Sequence, residues 1–96
     1  MRLIFNREAK IEVSEAFQYY ENANPGMGRA FVNEVEGTAR SLEEWPLRWP
    51  KVHGRFRRAL ISRFPYGIIY TIRGDEILVI AVAHLHRRPG YWRRRT

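Results

Sequence analysis

The sequence contains no cysteine among its 96 residues. Disulfides and thiolate metal sites are thereby excluded, and the usage suits a reducing compartment such as the cytoplasm. Long apolar runs are missing too: none approaches the roughly 20 residues a membrane-spanning helix needs. The opening Met1-Arg2-Leu3-Ile4-Phe5 meets Asn6, Arg7 and Glu8 before a signal-peptide core develops. A cytoplasmic chain with no membrane partner is the expectation. Acidic residues nearly vanish after residue 45. Residues 46–96 hold twelve Lys/Arg against only Asp75 and Glu76, a balance of +10, whereas residues 1–45 hold five Lys/Arg against eight Asp/Glu, a balance of −3. A two-metal nuclease centre needs carboxylates that the second half lacks, and His84 and His86 alone fall short of a zinc ligand set. No metal or cofactor is expected. Repeats, low-complexity tracts and linkers are also lacking, so residues 1–96 read as one domain.

What is present suffices for a core, with 45% hydrophobic and 14% aromatic residues. Ile68–Ile72 and Ile77–Ala83 are dense in β-branched residues, and Arg73-Gly74-Asp75-Glu76 between them has the Gly-Asp chemistry of a tight hairpin turn. Arg57–Ser62 precedes them, set off by Phe64-Pro65-Tyr66-Gly67, so an antiparallel meander of three strands is predicted. Both alternating sets of Ile77–Ala83 are apolar, which marks a strand buried on both faces. Leu3-Ile4-Phe5 is a short first strand closing an edge of the meander.

Between the first strand and the meander the pattern is helical. Asn6 is placed to cap a helix in which Ala9, Val13, Ala16, Phe17 and Tyr20 recur at helical spacing, with Glu8, Glu12, Glu15 and Gln18 assigned to the wet face. That helix ends near Asn22. Asn24-Pro25 then suits the start of a second helix, with Met27, Phe31, Val35, Thr38, Leu42 and Trp45 on one stripe and Pro46 as the stop. The short link makes an antiparallel helix hairpin packed on one face of the sheet, an α+β fold. Leu47–Gly54, preceded by Pro46, carrying Pro50 and ending on Gly54, reads as an ordered loop.

Three constellations carry candidate chemistry. Lys51, Arg55, Arg57 and Arg58, with Arg87 and Arg88 after the last strand, form a basic set whose planar forks suit phosphates. His84 and His86 stand two apart at a strand end, on one face if the extended conformation continues, and are acid-base candidates. The tail Pro89-Gly90-Tyr91-Trp92-Arg93-Arg94-Arg95 embeds two aromatics in cations, a composition that stacks on unpaired bases. Tyr91 can move a proton only if neighbouring cations lower its pKa from near 10. A field so one-sided favours polyanions or an acidic protein partner.

The order of elements, with Arg57-Arg58, Phe64-Pro65-Tyr66-Gly67-Ile68-Ile69-Tyr70 and the run Val79–Pro89 containing His84-Leu85-His86-Arg87-Arg88, resembles the RelE/ParE superfamily of bacterial toxins over essentially the whole chain. The resemblance implies the toxin of a type II toxin-antitoxin pair, neutralised by a cognate antitoxin. RelE-like members cut messenger RNA on the ribosome and ParE-like members poison DNA gyrase, and both targets stay open at this point. On the RelE-like pattern Arg57 or Arg58, Arg87 and Tyr91 match catalytic positions, with His84 as a competing acid-base candidate. Lys51, Arg55, His86, Arg88, Trp92 and Arg93 then serve nucleic-acid or target binding. The chain departs from that pattern in having one lysine, Lys51, where a pair is wanted, with Arg55 as substitute. His84 and His86 resemble the ParE-like ending instead. The alternative is a non-catalytic basic binding module on the same fold.

Overall fold

The computed structural model describes residues 1–96. In order it contains β1 (Arg2–Phe5), α1 (Arg7–Ala23), α2 (Met27–Glu44), β2 (Lys51–His53), β3 (Phe56–Leu60), β4 (Tyr66–Arg73), β5 (Glu76–His84) and a terminal 3₁₀ turn, Arg93–Arg95. The sheet order is β1-β5-β4-β3-β2. The β3-β4-β5 meander is antiparallel, as expected, and β1 lies parallel to β5 at one edge, so the sheet is mixed. Gly74 at φ +62° opens the two-residue β4-β5 turn, where a glycine-first loop matches the right-handed twist of the strands.

Asn6 caps α1 as its sequence position suggests, accepting from the Ala9 N–H at 2.8 Å. The second helix starts later than expected. Gly26, at φ +92°, is its N-cap, while the Asn24 carbonyl accepts from the Met27 N–H at 2.9 Å. Glu21, not Asn24, serves the helix start, receiving the N–H groups of Gly26 and Gly28 at 3.0 Å each. Gly28 lets the helices approach closely: a Cβ there would lie 2.6 Å from the Phe17 carbonyl oxygen. The stripe of α2 also differs at its end, since Ala39 is buried and Trp45 lies exposed beyond the last turn.

The expected loop at 47–54 contains a strand. Lys51–His53 pairs antiparallel with β3 and is wholly exposed, so no alternation of burial announced it. Two side chains hold the approach to it: the Tyr70 hydroxyl donates to the Pro46 carbonyl (2.6 Å) and the Arg57 guanidinium to that of Trp49 (2.6 Å).

Both faces of the sheet are covered. Ile68, Tyr70, Ile77, Val79 and Val82 pack under the helices with Phe31, Val35 and Leu42. On the opposite face Phe56, Ile69, Ile80, Ala81 and Ala83 pack with Trp92 from the tail. A bulge explains the unusual parity, because Ile69 faces Ala81 and Tyr70 faces Val79, leaving Ile80 as the extra residue. Ile80 is fully buried on this second face. Its replacement in Ile80→Ala should leave a cavity and cost roughly 2–5 kcal/mol. Urea denaturation checks this; a variant as stable as the parent would show that the tail-covered face contributes no packing.

Candidate functional site

Beyond β5 the chain stops being extended and folds back in a series of single turns. Arg87 N–H donates to the His84 carbonyl, Tyr91 N–H to Arg88, Arg93 N–H to Gly90 and Arg95 N–H to Trp92. This path drops Trp92 into the second core, its ring centroid 5.2 Å from that of Phe56. Between tail and sheet lies a cleft of about 170 Å³, lined on its basic side by His53, Arg58, His84, Arg87, Arg88 and Arg93 and floored by Ile69, Ala83, Tyr91 and Trp92. No carboxylate lines it.

The tail is fixed by a residue first placed on the wet face of α1. Glu12 is largely buried and accepts the Val82 N–H at 2.9 Å, the Tyr91 hydroxyl at 2.5 Å and both terminal nitrogens of Arg95 at 2.9 and 3.1 Å. Arg95 Nη1 also donates to the Ile80 carbonyl at 3.0 Å. Arg87 stands 3.6 Å from the same carboxylate and 3.8 Å above the Tyr91 ring centroid. A fork-to-fork pair in a partly dry site is among the stronger polar contacts a protein makes. The signal for Glu12 was in the spacing: Ala9, Glu12, Val13 and Ala16 follow the i, i+3, i+4, i+7 rule, so a carboxylate sat within the apolar stripe.

This arrangement shifts the proton equilibrium of Tyr91. Burial pushes its pKa well above the usual value, the hydrogen bond to Glu12 and the charge of Glu12 push it further, and Arg87 and Arg95 offset only part of this. The shift is opposite to the one a proton-transferring tyrosine needs. Arg95 is raised as well, since burial works against its charge but the bonds and charge of Glu12 outweigh it.

The other expected residues divide. Arg58, His84, Arg87, Arg88, Tyr91, Trp92 and Arg93 meet at the cleft. Trp92, however, is buried in the core and offers no free face for a base. Arg57 points to the other side of the sheet from Arg58, as neighbours on a strand must, and holds the carbonyls before β2. Lys51 is exposed on the edge strand, and Arg55 lies over the Phe56 ring at 5.1 Å. His84 and His86 do lie side by side, with centroids 5.1 Å apart, but through a turn rather than an extended strand. The His86 N–H donates to His84 Nδ1 at 3.0 Å, which makes that nitrogen an acceptor.

Two variants test the clasp. Glu12→Ala orphans four donors and leaves Arg95 without its counter-charge, so it should cost about 3–5 kcal/mol and speed amide exchange at Val82. Tyr91→Phe removes one donor and should cost about 1–3 kcal/mol at neutral pH. Because the folded-state pKa of Tyr91 is raised, its contribution is full below about pH 10 and fades as pH climbs above that. The phenylalanine variant should therefore lose less stability than the parent over that alkaline range. Urea midpoints across pH check both; parallel pH curves for parent and Tyr91→Phe would contradict the assignment.

Comparison with known proteins gives one family and one fold. The family model for the ParE toxin of the type II toxin-antitoxin system, parDE, matches residues 3–89. A structure described as the chromosomal ParDE TA system from P. aeruginosa superposes with a TM-score of 0.81 at 17% identity, covering 90% of this chain and 97% of that one. Among curated proteins the sequence has no match. The α+β fold of an amino-terminal strand, a helix pair and a sheet is thus shared, and with a match across nearly its whole length the chain belongs to the ParE toxin family of type II toxin-antitoxin systems.

Proposed function

We propose that this ParE-type toxin acts on DNA gyrase rather than by cutting messenger RNA, and that a cognate antitoxin neutralises it. The observation that carries the reading is the Tyr91 hydroxyl, bound to Glu12 at 2.5 Å with its pKa driven upward. Metal-independent RNA cleavage must take a proton from a 2′-hydroxyl and return one to the leaving oxygen, which calls for groups whose pKa values lie near the working pH. Tyr91 is tuned the other way, and Arg57 is engaged with backbone carbonyls away from the cleft. A gyrase poison needs no proton transfer, only a shaped and charged surface.

The partner follows from the charge and from exposed apolar groups. Trp45, Leu47, Val52 and Leu60 are exposed, alongside a half of the chain carrying +10. An acidic, partly disordered antitoxin segment that folds on binding fits both features, with an association rate that falls as salt rises.

The test is induction of the parent, Arg87→Ala and Tyr91→Phe, with transcript ends and plasmid topology read from the same cultures. Broken or unsupercoiled plasmid with intact transcripts is expected for the parent, and Tyr91→Phe should retain that effect at temperatures where it stays folded. Cut transcripts with normal topology would reject the gyrase reading. Neither change would favour a non-toxic binding module. For the partner, a pull-down with the product of the adjacent small reading frame at moderate salt should recover a complex, and its absence would overturn the pairing.

A further inference from the structure

We infer that the cleft between the tail and the second sheet face is a built site for a backbone phosphodiester of duplex DNA, held by Arg58, Arg88 and Arg93. The gyrase reading enters only in the choice of duplex DNA as the source of the phosphate. Six arginines around the tail and β3 are of two kinds. Arg57, Arg87 and Arg95 are engaged with backbone carbonyls or with Glu12. Arg58, Arg88 and Arg93 line the cleft, and none of the ion pairs or side-chain hydrogen bonds of the protein involves them. Their N–H donors, five to each guanidinium, have no protein acceptor.

Two of these three are positioned by the absence of a side chain. The stem of Arg58 lies on Gly67, where an added Cβ would be 2.9 Å from Arg58 Cγ. The Arg93 guanidinium fills the space over Gly90, which is itself at φ +74°, so any residue but glycine there both strains the backbone and expels Arg93. A diffuse basic surface would not need such placement.

The form of the site favours phosphate over carboxylate. A carboxylate is planar, and one guanidinium fork can engage both of its oxygens, as Arg95 does with Glu12. The cleft instead presents three forks from three segments, β3, the turn after β5 and the tail, which suits an anion with oxygens in several directions. Its volume of about 170 Å³ has room for one phosphate group.

The experiment is anisotropy titration of a labelled mixed-sequence DNA duplex with the full-length protein between roughly 50 and 200 mM salt. Arg58→Gln, Arg88→Gln and Arg93→Gln should each weaken binding about fivefold or more, alike for unrelated sequences, and reduce the salt slope by about one. Arg29→Gln, on an exposed position of α2 without an ion pair, should change it by less than about twofold. Gly90→Ala keeps the net charge and should still weaken binding, with intact Trp92 packing checked by near-ultraviolet circular dichroism. Should Gly90→Ala misfold, Arg93→Gln decides alone. Equal loss in Arg29→Gln and the cleft variants would reduce the site to a general field and overturn it. Tighter binding of polyglutamate, or of an RNA hairpin of equal length, with the same sensitivity to the cleft variants would overturn the assignment to DNA. Capture of gyrase from nuclease-treated extract is scored separately: its loss in the parent rejects the gyrase reading, whereas its retention in cleft variants that no longer bind duplex leaves that reading standing and supports a separate phosphate site.

Discussion

The carboxylate of Glu12 is the contact on which the rest of the arrangement depends. β1 ends at Phe5, paired with Val79, and the Asn6 N–H takes the Val79 carbonyl as the chain turns into α1. Past that point the edge of β5 has no strand beside it. Glu12 and Arg95 supply what a strand would have supplied, an acceptor for the Val82 N–H and a donor for the Ile80 carbonyl. Leaving two such groups dry and unpaired would cost a few kcal/mol. The ion pair thus closes the sheet edge and anchors the tail in one step. With the tail anchored, Trp92 reaches Phe56 and the second face of the sheet, with Ile69, Ile80, Ala81 and Ala83, is sealed from water.

The sequence was legible where local chemistry and tertiary context agree. The β4-β5 hairpin follows from β-branched runs around Gly74-Asp75, and α1 from its cap and stripe, because each signal is contained within a few residues. β2 was not legible, since a three-residue strand exposed throughout has no burial pattern and exists only through its pairing with β3. The start of α2 shifted because Glu21 on the preceding helix receives the amides of Gly26 and Gly28, in place of the cap expected at Asn24. For the site, period-two geometry required Arg57 and Arg58 to face opposite ways but could not tell which faced the cleft. Trp92 was ambiguous for a similar reason, as its burial depends on a return path set by Glu12, nearly the whole chain away. Glu12 itself lay in the stripe, and the abundance of other glutamates on the same helix hid it.

The charge asymmetry gains meaning once the arginines are sorted by what they touch. Tyr70 and Arg57 secure the segment leading to β2, and Arg95 and Arg87 secure the tail, so part of the +10 is structural. Arg57 is held by carbonyls, and Arg87 and Arg95 share one carboxylate, which offsets one of their two charges. Arg58, Arg88 and Arg93, which have no such partner, meet at one cleft with no acid in its lining, where low-dielectric walls focus the field.

The same clasp links fold to function. A tyrosine whose hydroxyl donates to a buried carboxylate is a poor proton donor to anything else, because releasing it would leave two negative groups 2.5 Å apart in a partly dry site. That bond holds the Tyr91 proton between its own oxygen and Glu12 and fixes its ring, stacked under Arg87 between two clefts. Rigidity of this kind suits recognition, in which ordering before contact lowers the entropy lost on binding. A catalytic tail would want the opposite, a hydroxyl free to approach substrate with its pKa brought down towards neutrality. On the proposed gyrase reading, the position of one glutamate on the buried stripe of α1 sets the tail towards docking, through the same atoms that hold the sheet edge closed.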